Sequence, residues 1–299
     1  MNQYNIFKVF LRGVGQVVFL NNALSGALML LGIAFNSPFM CIGALMGTIV
    51  STLTATGLNY DDTEIDKGLF GFNGTLVGIA VPCFLSINVW SILLLIIASA
   101  LSTWVVHISG KQKLLPVLTA PFVLITWLLL LMTAAVPNLR MTDDIAYVAE
   151  TTFHPLKAFS LGFGQIMLQG NTMITGFLFL TAIAVNSFRM GGRAALACLL
   201  SSLLAVCPFI ETSVMNDGLM GYNAVLAFVA ITDVVPTASW RFLKAFAAIL
   251  LSCLFQFVGL CLGFTTLTAP FVLAVWIVVL CDKIETRLSS NQFRTGSIR

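Results

Sequence analysis

The chain repeats itself, and that limits its possible folds more than any other feature. Leu118-Thr119-Ala120-Pro121-Phe122 returns unchanged as Leu267-Thr268-Ala269-Pro270-Phe271, an offset of 149 residues. Gly68-Leu69-Phe70-Gly71-Phe72-Asn73 returns as Gly218-Leu219-Met220-Gly221-Tyr222-Asn223 at an offset of 150. Gly13-x-Gly15-Gln16 matches Gly162-x-Gly164-Gln165 at 149, and Ser25-Gly26 matches Thr175-Gly176 at 150. Four matches in one order define two homologous halves, residues 1–150 and 151–299, expected to form one domain together. Whatever the fold is, it has to be built twice.

The material of each half is apolar. Apolar runs fall at roughly 14–35, 38–57, 69–87, 88–107 and 114–136, and again at 158–185, 193–210, 219–235, 241–262 and 264–281. A helix needs about 20 apolar residues to cross hydrocarbon, and most of these runs can span. Only 9% of residues are charged, against roughly a quarter in soluble domains. The chain is therefore read as an integral membrane protein. Met1–Lys8 is polar and the apolar region after Val14 continues without an A-x-A-type site, so no cleavable secretory signal is expected.

Two segments are unusual. Gly68–Ile79 and its weaker copy Gly218–Ile231 are apolar yet studded with Gly, Asn or Thr, and the first follows the charged run Asp61–Lys67. A half-length helix dipping into the membrane fits the first, tolerated only where protein or an aqueous cavity satisfies its backbone. Short polar segments in matching halves of a membrane protein point to a permeation site. The glycines of the first segment are expected to serve close packing at the axis relating the halves.

Each half is expected to carry about five membrane crossings and one re-entrant half-helix. An odd number of crossings makes the two repeats opposite in orientation. Charge agrees with this inverted-topology reading. With the N-terminus cytoplasmic, Lys8, Arg12, Lys67, Lys111, Lys113, Arg189, Arg193, Arg241, Lys244, Lys283, Arg287, Arg294 and Arg299 face the cytoplasm. Only Arg140 and Lys157 lie outside, in a loop that also holds Asp143, Asp144 and Glu150. Thirteen against two obeys the positive-inside rule, with both termini cytoplasmic.

Four constellations are candidates for chemistry. Gln16 and Gln165 close the two Gly-x-Gly-Gln turns. An unpaired amide in hydrocarbon costs roughly 2–7 kcal/mol, so each is either helix glue or a solute ligand, and the duplication favours the ligand. Thr119 and Thr268 sit in the identical LTAPF. They either satisfy a carbonyl that the proline frees or offer hydroxyls near the midplane. Phe72–Leu76 and Tyr222–Leu226 have i,i+4 spacing, which makes flat apolar walls and also makes ordinary packing. Phe19 and Leu168 each follow their glutamine by three residues, one helical turn away.

Absences narrow the function. Apart from Asp233 and Glu211 at the edges of runs, and Arg193, Arg241 and Lys244 near the starts of two, no carboxylate, Lys or Arg lies within a predicted span. Ion-coupled carriers keep such groups in the core, so a neutral solute moving downhill is expected. The seven cysteines form no CxxC pair and read as buried free thiols, and His107 and His154 stand alone. No catalytic set, metal cluster, cofactor motif or nucleic-acid surface is legible.

On GLFGFNGTLVGI, the doubled LTAPF and the pair QVVFLNNALSG/QIMLQGNTMITG, the chain resembles the urea transporter family, and more closely its bacterial members. The resemblance implies an all-α integral membrane protein of the cytoplasmic (inner) membrane, a homotrimer with one central pore per protomer. It implies passive, channel-like passage of urea through a flat slot. Gln16 and Gln165 would mark the outer ends of the filter, and Thr119 and Thr268 its middle. Phe19, Phe72 and Leu76, with Leu168, Tyr222 and Leu226, would form the walls. Three positions depart from the family. Leu168 stands where some members have Phe, Tyr222 replaces Phe, and Gln165 is Glu in some members. A channel for another small neutral solute (ammonia, short amides or glycerol) is the alternative, and a membrane-embedded enzyme finds no nucleophile–base or metal set.

Overall fold

The computed structural model describes residues 5–134, 136, 139, 150, 152–205 and 210–296. Arg140, Asp143, Asp144, Cys207 and Arg299 lie outside the described residues, and the side chain of Arg294 is likewise not described. The described chain is all-helical. Seven helices come first: α1 (Ile6–Gly15), α2 (Ala23–Asn36), α3 (Pro38–Gly57), α4 (Asp62–Asp66), α5 (Gly71–Phe84), α6 (Val89–Lys111) and α7 (Ala120–Thr133). Seven more follow: α8 (Pro155–Gly164), α9 (Met173–Asn186), α10 (Phe188–Ala205), α11 (Thr212–Asn216), α12 (Tyr222–Val229), α13 (Arg241–Cys261) and α14 (Ala269–Gly296).

Among the described residues, α3, α6 and α13 are long and apolar enough to cross a membrane. Large apolar side chains cover the outside, with Phe188 88%, Leu131 73% and Trp90 67% exposed. A water-facing protein does not present such a surface, and this is a membrane protein. Many serines and threonines inside it donate to backbone carbonyls, as Ser51 Oγ does to Ser99 O at 2.9 Å.

Three apolar runs are broken where continuous crossings were expected. The run at 14–35 holds the end of α1, a 3₁₀ turn at Gln16–Val18 and nearly all of α2, with the two helices bent by 75°. The chain turns because Phe19 adopts φ +62°, while the Asn22 side chain accepts from Leu24 N and caps α2. The second half turns likewise: Leu168 has φ +60° and Thr172 caps α9. The run at 114–136 also fails to span as one helix. Leu118 sits at φ +50° and α7 begins only at Ala120, leaving 14 residues, about 21 Å long. Pro121 lies in the first turn of α7, where its missing N–H costs nothing. No carbonyl is freed there, so the Thr119 hydroxyl is not needed to repair a kink.

The glycines of α5 pack it against α3. A Cβ on Gly78 would lie 2.0 Å from Gly43 O, and one on Gly47 would lie 2.0 Å from Gly74 O. This corrects the expectation that they pack at an axis between halves: the contact lies inside the first half. Of the six described cysteines only Cys198 and Cys253 are buried, and Cys261 and Cys281 are exposed among apolar surface.

Contacts between the two sets of seven helices are reciprocal. Ser25 Oγ on α2 donates to Ala182 O on α9 at 2.7 Å, and Thr175 Oγ1 on α9 donates to Gly32 O on α2 at 2.8 Å. The two bonds join 25 to 182 and 32 to 175, so α2 and α9 run antiparallel. Trp127 Nε1 donates to Thr265 O and Trp276 Nε1 to Pro116 O, each at 2.8 Å.

Candidate permeation site

Each glutamine is held by the residue before a glycine. Gln16 Nε2 donates to Lys67 O at 2.8 Å, and Gln165 Nε2 donates to Asp217 O at 3.0 Å. The next residues, Gly68 and Gly218, take φ +76° and +70°. A Cβ on them would lie 2.4 Å from Gly13 N and 2.2 Å from Gly162 N. Only glycine fits that backbone and that gap, and the fit delivers the carbonyl to the amide. With its N–H engaged, each glutamine keeps a carbonyl oxygen that accepts from no described residue.

The two glutamines line two separate cavities. Gln16 lines a cavity of about 390 Å³ together with Phe19, Phe72, Val106, Val117 and Leu118. Gln165 lines one of about 830 Å³ together with Leu168, Tyr222, Gln256, Thr266 and Leu267. The residues after Leu118 and Leu267 meet: Thr119 Oγ1 and Thr268 Oγ1 lie 2.7 Å apart, 1% and 2% exposed. Neither hydroxyl lines a cavity. The Phe19 ring also reaches the Phe271 ring edge-on, with centroids 6.2 Å apart.

Eight of the ten expected site residues are thus gathered here: six line the two cavities, and Thr119 and Thr268 each follow a leucine that lines one of them. Leu76 and Leu226 are not. Both are fully buried, one turn along the helix from Phe72 and Tyr222, and line neither cavity.

Residue-by-residue reading of the repeat passed over what holds the two LTAPF turns. Asn73 Nδ2 donates to Leu118 O at 3.3 Å, and Asn73 Oδ1 accepts from Phe122 N at 3.0 Å. Asn223 does the same, to Leu267 O at 3.3 Å and from Phe271 N at 3.2 Å. Each asparagine bridges the two ends of a turn whose leucine has positive φ. Asn73 and Asn223 already match in the repeated hexapeptide, so duplication was the available signal.

Near the second cavity Glu150 accepts from Lys157 Nζ at 2.8 Å and from Asn216 Nδ2 at 2.6 Å. The Lys157 ammonium, then Asn216, hold its carboxyl below the usual carboxylate range. Among the described residues no group of three His, Cys, Asp or Glu is placed to hold a metal.

A helical membrane protein whose core pairs its repeated polar residues across two cavities is a transport protein by class. The chain belongs to the urea transporter family, whose description "Urea transporter" matches residues 7–283. Urea transporter 1 of Ovis aries is 31% identical over 290 residues, spanning 90% of this chain and 75% of that protein. Urea transporter 1 of Mus musculus is 32% identical over 300 residues, 94% of this chain and 76% of that protein. Urea transporter 1 of Rattus norvegicus is 34% identical over 255 residues, 77% of this chain and 64% of that protein. The family is one of transporters, not enzymes.

Proposed function

We propose that the chain conducts urea passively along a path from one cavity to the other, past Thr119 and Thr268. One observation carries the reading: a buried hydroxyl pair joins the turns that border two cavities, each holding a glutamine with its N–H engaged and its carbonyl open. Urea is planar, with four N–H donors and one carbonyl. Acceptors at Gln16, at the threonine pair and at Gln165 replace its water in sequence, and the lack of a charged side chain among these filter residues keeps ions out. Phe19 and Phe72 on one side, and Leu168 and Tyr222 on the other, supply flat apolar faces. Leu76 and Leu226 back the slot at its narrowest part. As urea passes, its N–H groups take the place of the Thr119–Thr268 bond.

The same reading makes residues 1–150 and 151–299 two inverted repeats. Two reciprocal contact pairs, Ser25–Ala182 with Thr175–Gly32 and Trp127–Thr265 with Trp276–Pro116, support a two-fold axis near the threonine pair. The antiparallel α2 and α9 support an axis lying in the membrane plane. Family membership supports urea as the solute. A homotrimer with one pore per protomer and a place in the cytoplasmic membrane follow from the family resemblance, and thirteen of the fifteen Lys and Arg on one side support both termini inside.

Labelled urea entering proteoliposomes tests the proposal. Wild-type protein is expected to speed entry well above plain lipid, and entry at the lipid rate sinks the reading. Thr119→Val and Gln16→Leu are expected to lower flux roughly tenfold each, the scale of one desolvated donor left unpaired. Unchanged flux in both returns those residues to helix glue.

A further inference from the structure

The two cavities are related by the repeat but differ at three matched places. Phe72 corresponds to Tyr222 at an offset of 150, and Val117 to Thr266 at 149. On α6 and α13 the register is fixed by Ser102 and Ser252, which both donate to the carbonyl three residues earlier, at 2.8 and 2.9 Å. That register makes Val106 the counterpart of Gln256. All three residues of each set line their own cavity. One cavity is apolar where the other carries a phenol, an amide and a hydroxyl.

The amide is oriented by its neighbours. Asn223 Oδ1 accepts from Phe271 N, which fixes Asn223 Nδ2 as the donor that meets Gln256 at 3.0 Å. The atom it meets must be the Gln256 oxygen, Oε1. Thr266 Oγ1 donates to the same Oε1 at 2.8 Å, while Tyr222 Oη lies 3.3 Å from it with its proton on Leu267 O at 2.6 Å. Two donors on one oxygen leave Gln256 Nε2 with two N–H groups and no acceptor among the described residues. Gln256 is 1% exposed, so an unanswered N–H is costly unless something else answers it. Gln256 lines the second cavity, which is the place left to answer those N–H groups.

We propose that Gln256 is a specificity-determining residue of the second cavity, its Nε2 donating to the carbonyl oxygen of an amide solute. The inference rests on the proposed passage of urea and adds a place where its carbonyl is read. Gln165 lines the same cavity, and with its Nε2 donating to Asp217 O its Oε1 is the atom left to accept an N–H. Acceptor and donor together match both ends of a planar amide, whereas the first cavity offers Gln16 as an acceptor opposite Val106. A purely structural Gln256, bracing Tyr222, Asn223 and Thr266, accounts for Oε1 but leaves the N–H groups of Nε2 unanswered.

The test is the ratio of urea to thiourea flux in proteoliposomes, because thiourea keeps the four N–H groups and replaces the carbonyl by a poor acceptor. Gln256→Met removes the donor. It leaves the three neighbours partnered, since Tyr222 Oη and Asn223 Nδ2 also donate to Leu267 O at 2.6 and 3.3 Å, and Thr266 Oγ1 lies 3.3 Å from Tyr222 Oη. Wild type is expected to favour urea, and Gln256→Met to lower that ratio roughly threefold to tenfold, as one net hydrogen bond would. Val106→Met, the matched change in the other cavity, is expected to leave the ratio in place. Equal wild-type flux of the two solutes overturns the proposal without any variant, and so does an unchanged ratio in folded Gln256→Met. Wild-type urea flux at the lipid rate overturns the urea reading itself, a separate result.

Discussion

The two cavities of this protein are built on one plan and finished differently. Each has a glutamine fixed by the carbonyl before a positive-φ glycine, and each ends at a turn bridged by an asparagine. One is then lined by Phe72, Val106 and Val117, the other by Tyr222, Gln256 and Thr266. The shared parts are those that fix backbone, and the differing parts are those that face the space inside. Duplication thus preserved the scaffold of the path while its two ends diverged in chemistry.

The strongest way to break the comparison is to break the scaffold. Gly68→Ala and Gly218→Ala each place a Cβ against backbone, 2.4 and 2.2 Å away, at a left-handed φ. Both are expected to cost more than about 3 kcal/mol and to remove most folded protein, read as yield of monodisperse material. Normal yield from either variant would mean the glycine contact is dispensable in that half.

The asparagines give the next effect and separate the halves. Asn73→Leu orphans Leu118 O and Phe122 N, at about 1–3 kcal/mol for each buried group. Asn223→Leu orphans Phe271 N, but Tyr222 Oη keeps Leu267 O and Thr266 Oγ1 keeps Gln256 Oε1 partnered. Thermal melting is expected to fall in both, and further for Asn73→Leu. The reverse order would mean that Tyr222 and Thr266 do not back up Asn223.

A gentler change sharpens the difference between the cavities. Tyr222→Phe makes the second cavity resemble the first, deleting the bond to Leu267 O and the contacts with Gln256 and Thr266. Flux of urea is expected to change less than about threefold, because Asn223 still holds Leu267 O. A loss as large as that from Thr119→Val would give the phenol a direct part in passage.

The smallest effect lies at the rim. Glu150 is held below its ordinary value by Lys157 and Asn216, so its contribution to stability is present above the unfolded carboxyl value, about 4.3, and lost as pH falls through the lower folded value. Wild type is expected to melt slightly above Glu150→Gln at pH 7, with the gap closing in acid. A gap that widens in acid contradicts the assigned cause.

Much of this site was legible before any coordinates. Gln16, Gln165, Thr119, Thr268, Phe72 and Tyr222 stood out because duplication marks residues that both halves need. The helix breaks at Phe19 and Leu168 were not, because a positive φ on a bulky residue is imposed by tertiary contacts, not by local preference. The short α7 escaped for the same reason at Leu118. Gln256 is the one amide in an apolar run and has a valine as its counterpart, so the repeat carries no signal there. Its meaning came from Asn223 and Thr266 converging on one oxygen.

A structure determined with urea or a close analogue bound tests the central claim most directly. The account predicts the solute flat between the two cavities, its N–H groups on Thr119 Oγ1 and Thr268 Oγ1, with the 2.7 Å bond between those hydroxyls opened. Solute bound elsewhere while that bond stays closed would contradict it.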